Sequence, residues 1–348
     1  MRISISVNLR LGAPLFAAHL VLLLVACGGG GDGGSGIDFA AATNAKPCPV
    51  PSSAANGGPN SGVAVDALTC APIAGVKVTA NLLGEATTGA DGSFKFSGAT
   101  PTTKYSVTLN SVSTVPRTTS FTPSGAPRVF SLIPNSFNLP AFDEMLRLNP
   151  NGLLRWTQQA PTLIVQRQVI DYSTEASDPS GSGNISGRSY VATQTTVPDD
   201  LAARAIERVQ SALPQLSSYS AFTGVRIETA APGSRVSEFG GVGTIVVAWA
   251  TNFPANAQGV VPAGIANFTG DFSNGIRAGR AFVSYERAAD VPVVLIHEFG
   301  HALGYLHTDL TSSLMNRSNG PLPTTFDLQS AKIANDRPLG NKSPDIDP

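Results

Sequence analysis

Histidine is scarce in this chain, with four copies among 348 residues, and cysteine and methionine number three each. One of the four, His19, falls in a segment that reads as removable, so the mature imidazole supply stands at a single place and leaves nothing for a second histidine-built centre. Charge is scarce too. Charged residues make up 14% of the chain, the net charge is -1 and no long basic run occurs, which argues against nucleic acid or an acidic surface as the main partner. The apolar run near the N-terminus, from about Ala13 to Ala26, has roughly 14 residues and is too short to span a bilayer. What is abundant is apolar and turn-forming, with 42% hydrophobic residues, 35 Gly and 26 Pro. That composition predicts a multidomain globular chain, long enough for two cores, with many turns, short strands and few helices.

Arg2 and Arg10 precede the apolar run, the layout of an export signal. The run ends Leu24-Val25-Ala26-Cys27, which resembles the lipobox of bacterial lipoproteins. That resemblance implies a signal peptide over residues 1–26, a lipidated Cys27 and attachment to the cell envelope. Gly28 follows the cysteine where an inner-membrane retention signal usually has aspartate, so the outer membrane or cell surface is the expected address. An ordinary secretory signal with an incidental cysteine is the alternative. Residues 27–45 are mostly glycine, alanine and serine and read as a flexible tether. Cys48 and Cys70 remain as an even pair in a compartment that permits oxidation, and a disulfide between them is expected, two unrelated thiols being the alternative.

Short alternating runs then appear at Gly62–Val65, Gly75–Ala80, Phe94–Phe96 and Tyr105–Leu109. They predict strands of an antiparallel sandwich over residues 46–137, with Ala90-Asp91-Gly92 as a hairpin turn. Through Gly62-x-Val-x-Asp66, Pro72-Ile73-x-Gly75-Val76-x-Val78 and Thr88-x-x-Asp91-Gly92-x-Phe94-x-Phe96, this stretch resembles the carboxypeptidase regulatory-like, transthyretin-like module, commonly a spacer or a weak binding surface.

A proline-containing connection from Leu132 to Pro140 leads into a second domain, residues 138–348. Its expected elements are a strand at Thr162–Val165 and a long Ser/Gly/Thr-rich surface loop from Ser173 to Thr196. A helix follows from Pro198-Asp199-Asp200 to near Pro214, then strands at Val225–Glu228, Thr244–Trp249, Gly264–Phe268 and Ala281–Tyr285. A further helix runs from Val291 to about Leu303, with Asp290 as its N-cap and Val293, Val294 and Ile296 beneath the sheet.

That helix carries His297-Glu298-Phe299-Gly300-His301-Ala302-Leu303-Gly304-Tyr305-Leu306-His307. Residues four apart on a helix share a face, with Cβ atoms about 5–6 Å apart, so His297 and His301 can grip one ion. Glu298 stands one step round the helix and can reach a metal-bound water without being a ligand. Gly304 lets the chain leave through a left-handed conformation, and His307 can return as a third ligand. Three nitrogens and one open position describe a catalytic zinc.

The extended motif resembles the metzincin clan of metallopeptidases, and so does the order strand, long helix, strands, active-site helix. The fold this implies is an α+β catalytic domain with a twisted mixed sheet, behind an N-terminal all-β sandwich. The clan places a methionine in a turn under the zinc, and Met315 in Ser313-Leu314-Met315-Asn316 is suitably placed. Thr325–Ile333 corresponds to the clan's C-terminal helix. The spacing is nearest the matrixin-like branch, with a resemblance covering residues 150–335. There are departures: no second histidine set for a structural zinc, no Pro-Arg-Cys-Gly cysteine switch, and Arg317 where astacins have a tyrosine. Phe268-Thr269-Gly270-Asp271 matches a pattern by which some astacin prosegments present aspartate to zinc, but its position inside the domain favours a turn or calcium-binding role.

The resemblance implies a zinc-dependent metalloendopeptidase with one catalytic zinc on His297, His301 and His307, Glu298 as general base, and calcium as a companion ion, although no loop has EF-hand spacing. The expected partners are a protein or peptide substrate, lying extended along Gly264–Phe268 as an edge strand, and a membrane through the lipid at Cys27. The alternative is a zinc-binding but non-catalytic surface lipoprotein acting as adhesin or scaffold; hydrolysis of a non-peptide amide is a third option.

Overall fold

The computed structural model describes residues 46–51, 60–97, 103–123, 127–148, 151–157, 159–178, 185, 187–318 and 320–348, together with the backbone of Leu20–Val25. Cys27 and the tether lie outside the described residues. We label Leu20–Val25 β1.

Among the described residues the N-terminal module has seven strands: β2 (Ser61–Asp66), β3 (Lys77–Ala80), β4 (Gly84–Thr87), β5 (Ser93–Lys95), β6 (Tyr105–Ser111), β7 (Thr114–Phe121) and β8 (Arg128–Leu132). They form a three-stranded sheet, β5-β2-β8, and a four-stranded one, β4-β3-β6-β7. In β6 the residues Tyr105, Val107 and Leu109 alternate inward while Ser106, Thr108 and Asn110 face water. These inward residues meet Val78, Phe94, Phe96, Phe121 and Phe130 in one core between the sheets. Not every pairing is antiparallel, since β2 runs parallel to β8. The turn at Ala90-Asp91-Gly92 is also not a hairpin. Gly92 has the positive φ of +73°, but the turn joins β4 of one sheet to β5 of the other. A bond from Cys48 to Cys70, with Cα atoms 5.4 Å apart, ties the segment before β2 to the loop after it.

The linker contains a helix as well as prolines. Asn138 caps α1 (Leu139–Leu146), its side chain accepting from Ala141 N, and Pro140 sits in the first turn. A short ladder of β9 (Arg147–Leu148) and β10 (Gly152–Leu153) follows. The next elements are β11 (Thr162–Asp178), β12 (Gly187–Thr196), α2 (Asp199–Leu216), β13 (Gly224–Glu228), β14 (Arg235–Ser237), β15 (Thr244–Thr251), β16 (Gly264–Asp271) and β17 (Gly275–Ser284). After them come α3 (Tyr285–Ala288), α4 (Pro292–Ala302) and α5 (Thr325–Asn335). The main sheet runs β16-β17-β15-β11-β12-β14, with β13 beside the first half of β11. It is mixed: β13 and β15 are parallel to β11, β15 is parallel to β17, and β16 and β12 are antiparallel to their neighbours.

β15, Thr-Ile-Val-Val-Ala-Trp-Ala-Thr, is buried on both faces, as a central parallel strand between two layers must be. One face packs on α2 and α4 through Val165, Val209, Val247, Phe268, Ile296 and Phe299. The other holds Tyr172, Tyr190, Ile265 and Phe282. It also carries a wholly buried ion pair, Arg280 Nε to Glu238 Oε2 at 2.6 Å.

Several sequence expectations change here. Ser173–Thr196 is not a surface loop, because β11 continues to Asp178 and β12 starts at Gly187. Ser173, Ser177, Thr195 and Thr196 are exposed on a long hairpin, while Ser189 is buried and Tyr172 and Tyr190 stack inward with ring centres 5.0 Å apart. α2 runs through Pro214 to Leu216, where the Gln215 side chain donates to the Ser211 carbonyl and the Ser217 side chain to the Leu213 carbonyl, one of those the helix end leaves open. Val291, not Asp290, is the N-cap of α4. Asp290 is instead held by Arg204 and Arg208 of α2, the latter at 2.7 Å. Of the three residues expected beneath the sheet, Val294 and Ile296 are buried and Val293 is half-buried. Asp271 takes the turn role, accepting from Ser273 N and Asn274 N at 2.8 Å each in the β16–β17 hairpin. Finally, β16 is not a bare edge, since the backbone of β1 lies antiparallel along it, Val25 opposite Ile265 and Leu20 opposite Gly270.

Candidate active site

α4 begins at Pro292, whose missing N–H costs nothing in a first turn, and presents His297, Glu298 and His301 from a wholly buried stretch. An added Cβ on Gly300 would fall 2.7 Å from Met315 Sδ, so glycine in mid-helix lets α4 close onto the methionine turn. The helix stops at Gly304. Its φ is +103°, and a Cβ there would meet Ile276 Cδ1 at 2.3 Å, so both backbone and space require glycine. The chain then turns back, with Tyr305 N on Gly300 O at 3.1 Å and Leu306 N on Met145 O at 2.7 Å, which delivers His307 to the other two imidazoles.

His297 Nδ1 donates to Leu314 O at 2.7 Å and His301 Nδ1 to Tyr305 O at 2.6 Å. With the proton on Nδ1, each Nε2 is a bare lone pair. Both stand 3.2 Å from His307 Nε2, and the three ligand atoms lie within 4.8 Å of one another. His307 Nε2 can offer at most one proton to two acceptors, so the cluster is short of positive charge. Tetrahedral zinc with Zn–N of about 2.0–2.1 Å spaces its ligand atoms about 3.3 Å apart, and the set fits that ion. Burial pushes the His297 imidazole down to about 4 and that of His307 to about 3, and drives His301 well down too, keeping all three in the neutral, ligating form. Among the described residues no other cluster of three His, Cys, Asp or Glu side chains forms.

Glu298 is 1% exposed, and its Oε2 has no hydrogen-bond partner among the described residues. Burial raises its carboxyl well above the usual range, while Arg280 pulls the other way. Gly264 of β16 backs it closely. A Cβ there would lie 2.6 Å from Glu298 Cγ and 2.8 Å from Oε1. Gly264→Ala should therefore displace the carboxylate, costing about 1–3 kcal/mol by overpacking. Thermal unfolding and kcat should both fall while bound zinc, held by other side chains, stays the same.

The methionine turn is fixed from α5. Asp327, fully buried, accepts from Ser313 Oγ at 2.6 Å, Leu314 N at 3.0 Å and Thr324 N at 2.8 Å. Leu314 in turn carries the carbonyl that orients His297. The signal for Asp327 in the sequence is the Thr324-x-x-Asp327 capping box that opens α5. Thus the structure brings His297, His301 and His307 together and packs Met315 against α4, while Glu298, next to His297 in the chain, lies with its carboxyl against Gly264. Cys48 and Cys70 sit in the N-terminal module, apart from the histidines.

A mixed sheet over an active-site helix, three converging imidazoles, a buried glutamate on the same helix and a methionine turn define a metzincin-like metallopeptidase domain. Residues 197–334 match the peptidase family model described as matrixin, and this part of the chain is a matrixin-like metallopeptidase domain. The match spans α2 to α5 and includes every residue of the cluster. No curated protein matches the chain.

Proposed function

We propose that the chain is an exported zinc metalloendopeptidase that cuts extended segments of proteins in the cell envelope or outside it, with Glu298 as general base. The observation that carries this reading is the convergence of three neutral Nε2 atoms, with a buried carboxylate that has an unpartnered oxygen on the same helix. When bound, zinc would lower the pKa of a coordinated water to about 7 and polarise the scissile carbonyl. His297, His301 and His307 would hold the ion, their orientation set by Leu314 O, Tyr305 O and the loop that carries His307. Glu298 would accept a proton at Oε2 and return it to the leaving nitrogen. Gly264 keeps the β16 backbone close to that carboxylate. An extended substrate would pair along β16, an edge whose capacity for a strand is supported by its pairing with β1. Removal of the leader before a lipidated Cys27 would clear the edge and leave the enzyme tethered to the membrane.

The test is incubation of the purified chain with a peptide library and mapping of the cut sites. Internal cleavage that a chelator abolishes and zinc restores is the expected result. Cleavage indifferent to chelator would contradict the reading, and bound zinc with no cleavage of any peptide would favour a non-catalytic surface protein.

A further inference from the structure

His307 differs from the other two ligands in lying on a loop, outside α4, so its position depends on whatever holds that loop. One side is held by the methionine turn, through Thr308 N to Met315 O at 3.0 Å. The other side is held by α1, which precedes the peptidase sheet and lies outside the segment that matches the matrixin model. Met145 O accepts from Leu306 N, the residue before His307. Glu144 Oε2 accepts from Thr308 Oγ1 at 2.9 Å and from Asp309 N at 3.1 Å, the two residues after it. Consecutive residues of α1 therefore bracket the ligand on both sides.

We propose that Glu144 is a positioning residue for the third zinc ligand, holding the His307 loop at the distance the ion needs. This rests on the zinc-peptidase reading above. The platform is rigid: Phe142, Met145 and Leu146 are buried, and Arg147, directly after the helix, is bonded to Asp143, Asn341 and the Pro344 carbonyl. Thr308 is fully buried, and the Glu144 carboxylate is the acceptor its hydroxyl donates to, so removing that carboxylate frees the loop at this point. Glu144 itself faces solvent, so its truncation opens no cavity. The bond is charge-assisted, and outer partners of metal ligands commonly set affinity by about tenfold or more.

The experiment uses the full chain as wild type, Glu144→Ala, Glu144→Gln, Thr308→Val and the Glu144→Ala/Thr308→Val double variant. Zinc content, the rate of zinc transfer to a chromogenic chelator and the unfolding midpoint of the metal-free protein are measured for each. Glu144→Ala should bind one zinc and release it about tenfold faster, with the metal-free midpoint unchanged. Glu144→Gln, which keeps an accepting oxygen, should restore slow release. Thr308→Val should follow Glu144→Ala, and the double variant should be no faster than the quicker single one. Release from Glu144→Ala at the wild-type rate, fully additive effects, or a large fall in the metal-free midpoint would overturn the proposal. Wild type without zinc would instead overturn the reading beneath it.

Discussion

Glu298→Gln is expected to lower kcat/KM by about a hundred- to ten-thousandfold while zinc stays at the wild-type level, the range by which a positioned proton acceptor contributes. The substitution preserves shape in a site that has no spare room, since Gly264 lies against the side chain and the residue is 1% exposed. What it removes is the ability of Oε2 to take a proton. The three imidazoles are oriented by Leu314 O, Tyr305 O and the His307 loop, none of which involves Glu298. Metal content and turnover should therefore separate. Steady-state kinetics on a cleaved peptide, read beside metal analysis of the same sample, checks this. Equal turnover in the two proteins would remove Glu298 from the chemistry.

The second large effect lies outside the histidine cluster. Arg337 is fully buried and donates from Nε and Nη2 to the two oxygens of Asp345, each at 2.7 Å, while Nη1 and Nη2 reach Ser131 Oγ and O of β8. Arg117 of β7 joins through Ser131 O and Asp347 Oδ2. The C-terminal tail also pairs by backbone with Thr118. The last residues of the chain thus cross back and fasten the N-terminal module to the peptidase domain, and Lys332 of α5 adds a bond to Leu68 O at 2.7 Å. Arg337→Met should destabilise the protein by about 3–5 kcal/mol, because it strands the buried Asp345 carboxylate. Adding Asp345→Asn should cost less than the sum of the two changes. Denaturant unfolding of the four proteins measures it.

The same network carries a pH sign. Burial opposes the charge on Asp345, yet Arg337 beside it and its hydrogen bonds hold the carboxyl below the usual range. A depressed carboxylate contributes stability above its unfolded pKa, about 3.9, and that contribution is lost as pH falls through the lower folded value. Wild type should lose this stability on acidification, and Asp345→Asn should not show the loss.

The histidine cluster was legible because its pattern is written at helical spacing. His297, Glu298 and His301 needed only the period of α4, and Met315 only its distance along the chain. What could not be read locally was decided by distant partners. Asp290 has the composition of a cap, but Arg204 and Arg208 arrive from α2 and take it. Ser173–Thr196 has the composition of a loop, but Tyr172, Tyr190 and Ala192 are buried against the sheet and make it a hairpin, with Ser173, Ser177, Thr195 and Thr196 facing water. α1 did leave a signal, in Asn138 as cap, Pro140 in the first turn and apolar Phe142, Met145 and Leu146. Prolines in the linker masked it. Glu144 carried no signal, because its value depends on where His307 comes to rest.

Zinc content of the purified chain, by elemental analysis after exhaustive dialysis, bears most directly on the central claim. One zinc per wild-type chain, lost in His301→Ala and retained in Glu298→Gln, is the predicted result. Wild type free of zinc, or His301→Ala as fully loaded as wild type, would contradict it.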